Sequence, residues 1–99
     1  MKTIDYTLGE RKTWRAVPRN AAGGMADLTG ASAELRITVA GDLCLRIAGA
    51  IDDRGIAFAL SPESLDIPSG RYAAQLWIRW PDGQERACGR FVLLNRKGR

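Results

Sequence analysis

The feature that most constrains the fold is a run of side chains that alternates between apolar and mostly polar from Tyr72 to Trp80. The apolar set is Tyr72, Ala74, Leu76, Ile78 and Trp80, and the intervening set is Arg71, Ala73, Gln75, Trp77 and Arg79. Successive side chains of a β-strand point to opposite faces, so this period of two places the apolar set in a core. Proline and glycine within Pro81–Gln84 then predict a tight turn. On the returning strand, Ala87, Gly89, Phe91 and Leu93 continue the inward set, and we predict a central antiparallel hairpin.

Shorter segments elsewhere show the same alternation, separated by turn residues such as Gly41–Asp42. Their predicted inward residues are Ile4, Tyr6 and Leu8; Trp14; Ala31, Ala33, Leu35, Ile37 and Val39; Leu43, Leu45 and Ile47; and Ile56, Phe58 and Leu60. About seven short strands, repeated every ~8–12 residues, are typical of an antiparallel sandwich or a small barrel. The sequence therefore predicts an all-β fold.

One short helical turn is expected near residues 61–67. Ser61 has the chemistry of a helix N-cap, Pro62 suits the first helical position, and Glu63 adds an acid to the first turn. Pro68 and Gly70 would end the helix after two turns at most.

The chain of 99 residues is expected to form one domain over residues 1–94, followed by a basic flexible tail over residues 95–99. No apolar run approaches the ~18 residues that a membrane span needs. The first residues lack the apolar core of a secretory signal peptide, so we expect the protein to remain in the cell that makes it, or to leave only inside a larger particle or after lysis.

Catalytic and metal chemistry find little support in the residue types present. The chain contains no histidine, which excludes a serine–histidine hydrolase and removes the usual partner of a catalytic cysteine. Cys44 and Cys88 lie out of phase with the inward residues, so free thiols are predicted rather than a disulfide between sheets. The paired acids Asp52 and Asp53, with Asp42, lack the spacing of a calcium loop and are interpreted as a solvated turn. We predict no catalytic residue, metal or cofactor.

The candidate binding residue is Trp77, whose phase places it on the polar face of its strand. Arg71 and Arg79 share that face, and Arg86 or Arg90 would lie across the hairpin. A tryptophan among arginines is typical of a protein contact. It can also stack on nucleic-acid bases, which the net charge of +4 and the basic tail would favour. A third interpretation is that arginine stems simply cover the ring.

Several motifs occur in an order that resembles a known class of proteins. They are Gly9-Glu10, Leu28-Thr29-Gly30, Leu60-Ser61 with Gly70-Arg71-Tyr72, the turn Asp82-Gly83, and the last strand from Gly89 to Leu93. Together they resemble the small immunoglobulin-like β-sandwich proteins of tailed bacteriophages and prophages, and are similar to the N-terminal domain of baseplate upper proteins. The resemblance implies an immunoglobulin-like antiparallel sandwich and a structural or assembly role in a virion. It carries over no binding residues.

The expected function is therefore that of a non-enzymatic phage or prophage protein, associated with the tail or baseplate and acting through protein–protein contacts. Its expected partners are other phage structural proteins or further copies of itself, paired through an exposed edge such as residues 2–8. Nucleic acid and membrane are not expected partners, and a small basic nucleic-acid-binding barrel is the alternative. The expected location is the bacterial cytoplasm before assembly and the virion afterwards.

Overall fold

The computed structural model describes residues 2–40 and 43–97, which form seven β-strands. The strands are β1 (Lys2–Thr7), β2 (Lys12–Ala16), β3 (Ser32–Thr38), β4 (Cys44–Asp52), β5 (Gly55–Leu60), β6 (Gly70–Arg79) and β7 (Glu85–Arg96). The prediction of an all-β fold with about seven strands is confirmed. Within the part of the chain that is described, no helix is long and apolar enough to cross a membrane.

The seven strands form one sheet in the order β1-β7-β6-β3-β4-β5-β2. All neighbouring strands are antiparallel except β1 and β7, which run parallel with Ile4 beside Leu93. The prediction of a purely antiparallel sheet is therefore wrong, and the sheet is mixed. Alternating side chains report which face a residue occupies, and they carry no information on the direction of the neighbouring strand.

The sheet curls because β4 belongs to both of its halves. The first part of β4 pairs with β3, while the part from Gly49 to Asp52 pairs with β5. A Cβ atom on Gly49 would lie 2.5 Å from the Ile56 Cγ2 atom and 2.8 Å from the Phe58 ring, so glycine permits this close approach. The sheet becomes nearly barrel-shaped around one core.

The core contains most of the residues that the alternation predicted to point inward. Its buried apolar members are Ile4, Tyr6, Ala16, Leu28, Ala33, Leu35, Ile37, Ile47, Ile56, Phe58, Leu60, Leu65, Ala74, Leu76, Ile78 and Leu93. Leu43, however, is 68% exposed, and it lies one residue beyond the last pair of the ladder between β3 and β4, Thr38 and Cys44. The predicted turn at Gly41–Asp42 lies outside the described residues.

A β-bulge in β7 changes the phase of its first half. Leu76 pairs with Gly89, but the next residue, Trp77, pairs with Ala87, so Cys88 is an extra residue in the ladder. Ala87 consequently lies on the outer face beside Trp77 and is exposed, although it was predicted to point inward. Cys88 and Cys44 are both exposed, and both are free thiols, as predicted.

The helical turn expected near residues 61–67 is absent. Pro62–Leu65 form a turn in which the Leu65 N–H donates to the Ser61 carbonyl at 2.9 Å. The Ser64 hydroxyl donates to the carbonyl of Ala59 at 2.9 Å, which ties this turn back to β5. Serine side chains compete with helix geometry through such local bonds, and one turn of chain offers too few helical bonds to resist them.

The last strand continues beyond Leu94, where the domain was expected to end. Asn95 is buried, and its side-chain amide donates to the carbonyls of Ile67 and Pro68, both at 3.0 Å. Arg96 forms an ion pair with Asp5 of β1 at 3.0 Å. Both residues therefore belong to the sheet, and the parallel pairing with β1 extends to Arg96.

An exposed ion pair between Arg11 and Glu63 predicts a pH dependence of stability. The two side chains form two hydrogen bonds, at 2.6 and 3.0 Å, which link the loop after β1 to the turn after β5. Hydrogen bonds from Arg11 lower the pKa of Glu63 to about 2. A carboxylate with a lowered pKa in the folded state stabilises above its ordinary pKa, and that stabilisation is lost as the pH falls towards 2.

We therefore expect Glu63→Gln to lower the melting temperature slightly at neutral pH, and the difference from the unmodified protein to vanish near pH 2. Thermal unfolding followed by circular dichroism across this range measures it. Arg11→Gln, which removes the other partner, should show the same convergence. A difference for Glu63→Gln that persists unchanged at pH 2 would contradict the assignment.

Candidate functional site

Trp77 lies on the outer face of β6, near the middle of the sheet. Its ring is partly buried, and its Nε1–H donates to the Gln75 side-chain oxygen at 3.1 Å. On the two neighbouring strands, Trp77 pairs with Glu34 of β3 and Ala87 of β7. The strand phase predicted from the sequence is thus confirmed for this residue.

The Trp77 ring is covered by the guanidinium group of Arg36, a residue that the sequence analysis did not single out. The guanidinium carbon lies 4.3 Å from the ring centroid, which is the geometry of a cation–π contact. Arg36 extends from β3, where it pairs with Gln75 of β6. The ring is therefore covered by an arginine, although not by one of those predicted.

Two glutamates hold Arg36 in this position. Its guanidinium group forms ion pairs with Glu34 on the same strand and with Glu85 of β7. Glu34 also lies 3.6 Å from the guanidinium of Arg46 on β4. The hydrogen bond to Glu34 raises the pKa of Arg36 above its usual value. The result is a cross-strand network of charges over the tryptophan.

The four arginines predicted to lie near Trp77 are found at three separate depressions of the surface. Arg79 borders a depression of about 580 Å³ together with Trp77 and Arg36. Arg71 and Arg90 flank a second groove of about 400 Å³ on the same face. The remaining lining of that groove is Tyr72, Ala73, Ala74, Gln75, Phe91 and Val92. None of the ion pairs found among the described residues involves Arg71, Arg79 or Arg90.

Arg86 does not lie on this face. Because of the bulge at Cys88, Arg86 pairs with Ile78, whose side chain is buried on the inner side of the sheet. Paired residues in an antiparallel ladder share a face, so Arg86 lies on the side opposite to Trp77. There it borders a shallow depression near Trp80 and Pro81, and it donates to the Gln84 side chain at 3.1 Å.

The outer face carries groups that can recognise another molecule. Exposed guanidinium groups form several directed hydrogen bonds to carboxylates and carbonyls, and Ala73 and Val92 supply apolar surface between them. Among residues 2–40 and 43–97, no three histidine, cysteine, aspartate or glutamate side chains are grouped so as to hold a metal ion. Asp52, one of the paired acids, instead accepts hydrogen bonds from Arg15 and from the Arg54 backbone.

We refer to the surface formed by Arg71, Ala73, Trp77, Arg79, Arg90 and Val92 as the arginine face. The alternation in β6 was sufficient to find its β6 members. Arg36 has the same outward phase in β3, but its position over Trp77 depends on the pairing of β3 with β6. Comparisons with protein-family models, with curated proteins and with solved structures gave no match.

Proposed function

We propose that the protein acts by binding other proteins, as a non-enzymatic structural or assembly component of a phage or prophage particle. The observation that carries the binding role is the arginine face. Arg79 borders the depression at the half-covered Trp77, and the other two exposed arginines, Arg71 and Arg90, flank the neighbouring groove with its small apolar strip on the open side of β6 and β7. Arginine and tryptophan are favoured anchors in protein interfaces. The assignment to the tail or baseplate of a virion rests on the sequence motifs alone.

We also propose that the fold is an immunoglobulin-like sandwich that is closed on one side by β4. If the seven strands are lettered A to G, then β3, β6 and β7 have the adjacency of strands C, F and G. The pairing of β5 with β4 and β2 likewise matches that of strand E with D and B. β1 differs, because it pairs with β7 rather than with β2. This strand order supports the fold that the motifs implied.

A protein partner suits the arginine face better than a nucleic acid. Bases stack on aromatic rings whose faces are open, whereas the guanidinium of Arg36 lies over Trp77 and is held there by Glu34 and Glu85. Those two carboxylates would also repel a phosphate backbone. Exposed arginines beside apolar residues remain well matched to an acidic protein surface.

The test is capture of virion proteins by the tagged protein from a prophage-induced lysate, with chemical crosslinking and mass spectrometry. We expect tail or baseplate proteins to be recovered. The variant Arg71→Glu/Arg79→Glu should reduce their recovery at least tenfold, because loss of a central interface arginine costs about 2 kcal/mol or more. Arg54→Glu/Arg86→Glu makes the same change in net charge away from the arginine face and should capture normally.

Two outcomes would contradict the proposal. One is the absence of virion proteins among the crosslinked partners. The other is equal loss of capture in both double variants, which would indicate a general effect of net charge rather than a contact at the arginine face. Light scattering of the purified protein separately reports whether copies of the chain associate through their exposed edges.

A further inference from the structure

The two ends of the curled sheet do not close on each other, and a seam remains between them. β2 is the strand at one end of the sheet. At the other end, the described part of β1 pairs only with Phe91–Arg96 of β7, so within the described chain residues 85–90 of β7 pair with β6 alone. A cleft of about 630 Å³ runs between β2 and this part of β7. We call it the β2–β7 seam.

The floor of the seam is apolar. The Trp14 ring of β2 meets the Phe91 ring of β7 edge-on, with their centroids 4.9 Å apart. Leu76 and Gly89 also line the seam, and both aromatic rings are only partly buried. Val17, next to the end of β2, is 38% exposed. Among the described residues, Val17 and Leu43 are the large apolar side chains with this degree of exposure, and Leu43 does not line the seam.

The walls of the seam are basic. Lys2, Arg15, Arg19 and Arg90 contribute to its lining, and no acidic residue of the described ranges does. Arg15 forms an ion pair with Asp52 at 2.8 Å, but none of the ion pairs among the described residues involves the other three. An occupant of this cleft would therefore meet three uncompensated positive charges above an apolar floor.

We infer that the β2–β7 seam receives an extended segment of a partner protein, in which acidic and apolar residues alternate. The outer edge of β2 has no partner among the seven described strands, so alternate residues direct N–H and C=O groups outward for pairing. The added strand points its apolar side chains to Trp14, Val17 and Phe91, and its acidic side chains to the basic walls. The inference rests on the proposed function only in that the partner is a protein.

Three arguments favour an added strand at β2 over pairing at the β7 edge, over a nucleic acid and over a second copy of the chain. The bulge at Cys88 makes the β7 edge irregular, which leaves β2 as the better template. Unpaired backbone carbonyls attract N–H donors and repel phosphates, which disfavours a nucleic acid. A second copy of the chain would bring an identical basic seam, and the like charges would oppose a symmetric pairing of two β2 edges.

The probe is a capped decapeptide in which glutamate alternates with valine and threonine, titrated into the isotopically labelled protein and followed by NMR. We expect amide shifts at residues 12–19 and 85–91, with little change elsewhere. Lys2→Glu/Arg19→Glu should weaken binding at least tenfold, while Arg46→Glu/Arg54→Glu, which changes the net charge equally, should bind within about twofold of the unmodified protein. A peptide with lysine in place of glutamate should not bind.

Cys88 provides an independent readout because its exposed thiol lines the seam. In the Cys44→Ser protein, saturating acidic peptide should slow maleimide labelling of Cys88 at least fivefold. Failure of the acidic peptide to bind, equal binding of the lysine peptide, shifts located outside the seam, or displacement of the peptide by oligothymidine would each overturn the inference.

The outcomes for the seam and for the proposed function are separable. If Lys2→Glu/Arg19→Glu captures virion proteins as well as the unmodified protein but no longer binds the peptide, the seam is not the site that these proteins use and the inference fails, while the proposed function stands. If the peptide binds in the seam but no virion protein is captured, the strand-binding site stands without the phage role.

Discussion

Leu76→Ala is expected to lower the free energy of unfolding by about 2–5 kcal/mol, the range for truncating a buried leucine. Leu76 lies in the middle of β6 with only 2% of its surface exposed, and it packs within the core cluster. Gly89 pairs with it across the ladder and has no side chain to fill the cavity. Because small domains have only about 5–15 kcal/mol of stability, chemical denaturation should show a large shift in midpoint.

The adjacent substitution Gln75→Ala is the control. Gln75 lies on the outer face of the same strand, where its main contact is the hydrogen bond accepted from the Trp77 indole. Loss of this bond at a partly exposed position should cost about 1 kcal/mol or less. Equal destabilisation by the two substitutions would contradict the assigned faces of β6 and, with them, the positions of Trp77 and Arg79 on the outer side.

Gly55→Ala is expected to destabilise the fold by about 2–5 kcal/mol, because it combines backbone strain with an overlap in a packed site. Gly55 begins β5 with φ of +126°, a conformation that residues with a side chain rarely adopt. A Cβ atom there would lie 2.4 Å from the backbone oxygen of Ala16 in β2. Since the obstacle is backbone, β2 itself would have to move. Denaturant titration measures the loss.

Gly83→Ala separates these two contributions. Gly83 has φ of +91° in the turn between β6 and β7, but a Cβ atom at that position would have no other atom within 4 Å. Only the cost of positive φ applies there, about 1–2 kcal/mol. If Gly83→Ala destabilised the protein as much as Gly55→Ala, the close approach of β5 to Ala16 would be refuted. Such a result would also question the position of β2 that defines one wall of the seam.

The alternation of side chains was sufficient to predict the strands and the inward residues of β3, β5 and β6. These features could be predicted from local sequence, because neighbouring residues of a strand lie on opposite faces and the buried face has to be apolar. Leu35, Phe58 and Ile78 are completely buried as the pattern required. The prediction from local sequence was wrong at Ser61–Leu65. The residues expected to start a helix form a turn that the serine hydroxyls hold through hydrogen bonds.

Which strands lie side by side was decided only by the tertiary structure. The parallel pairing of β1 with β7, the position of Arg36 over Trp77 and the open seam between β2 and β7 all depend on residues that are distant in the chain. The bulge at Cys88 moved Arg86 to the other face, since one extra residue reverses every side chain beyond it. The sequence thus determined the faces of most strands through local burial, whereas long-range pairing selected which side chains meet on the outer surface.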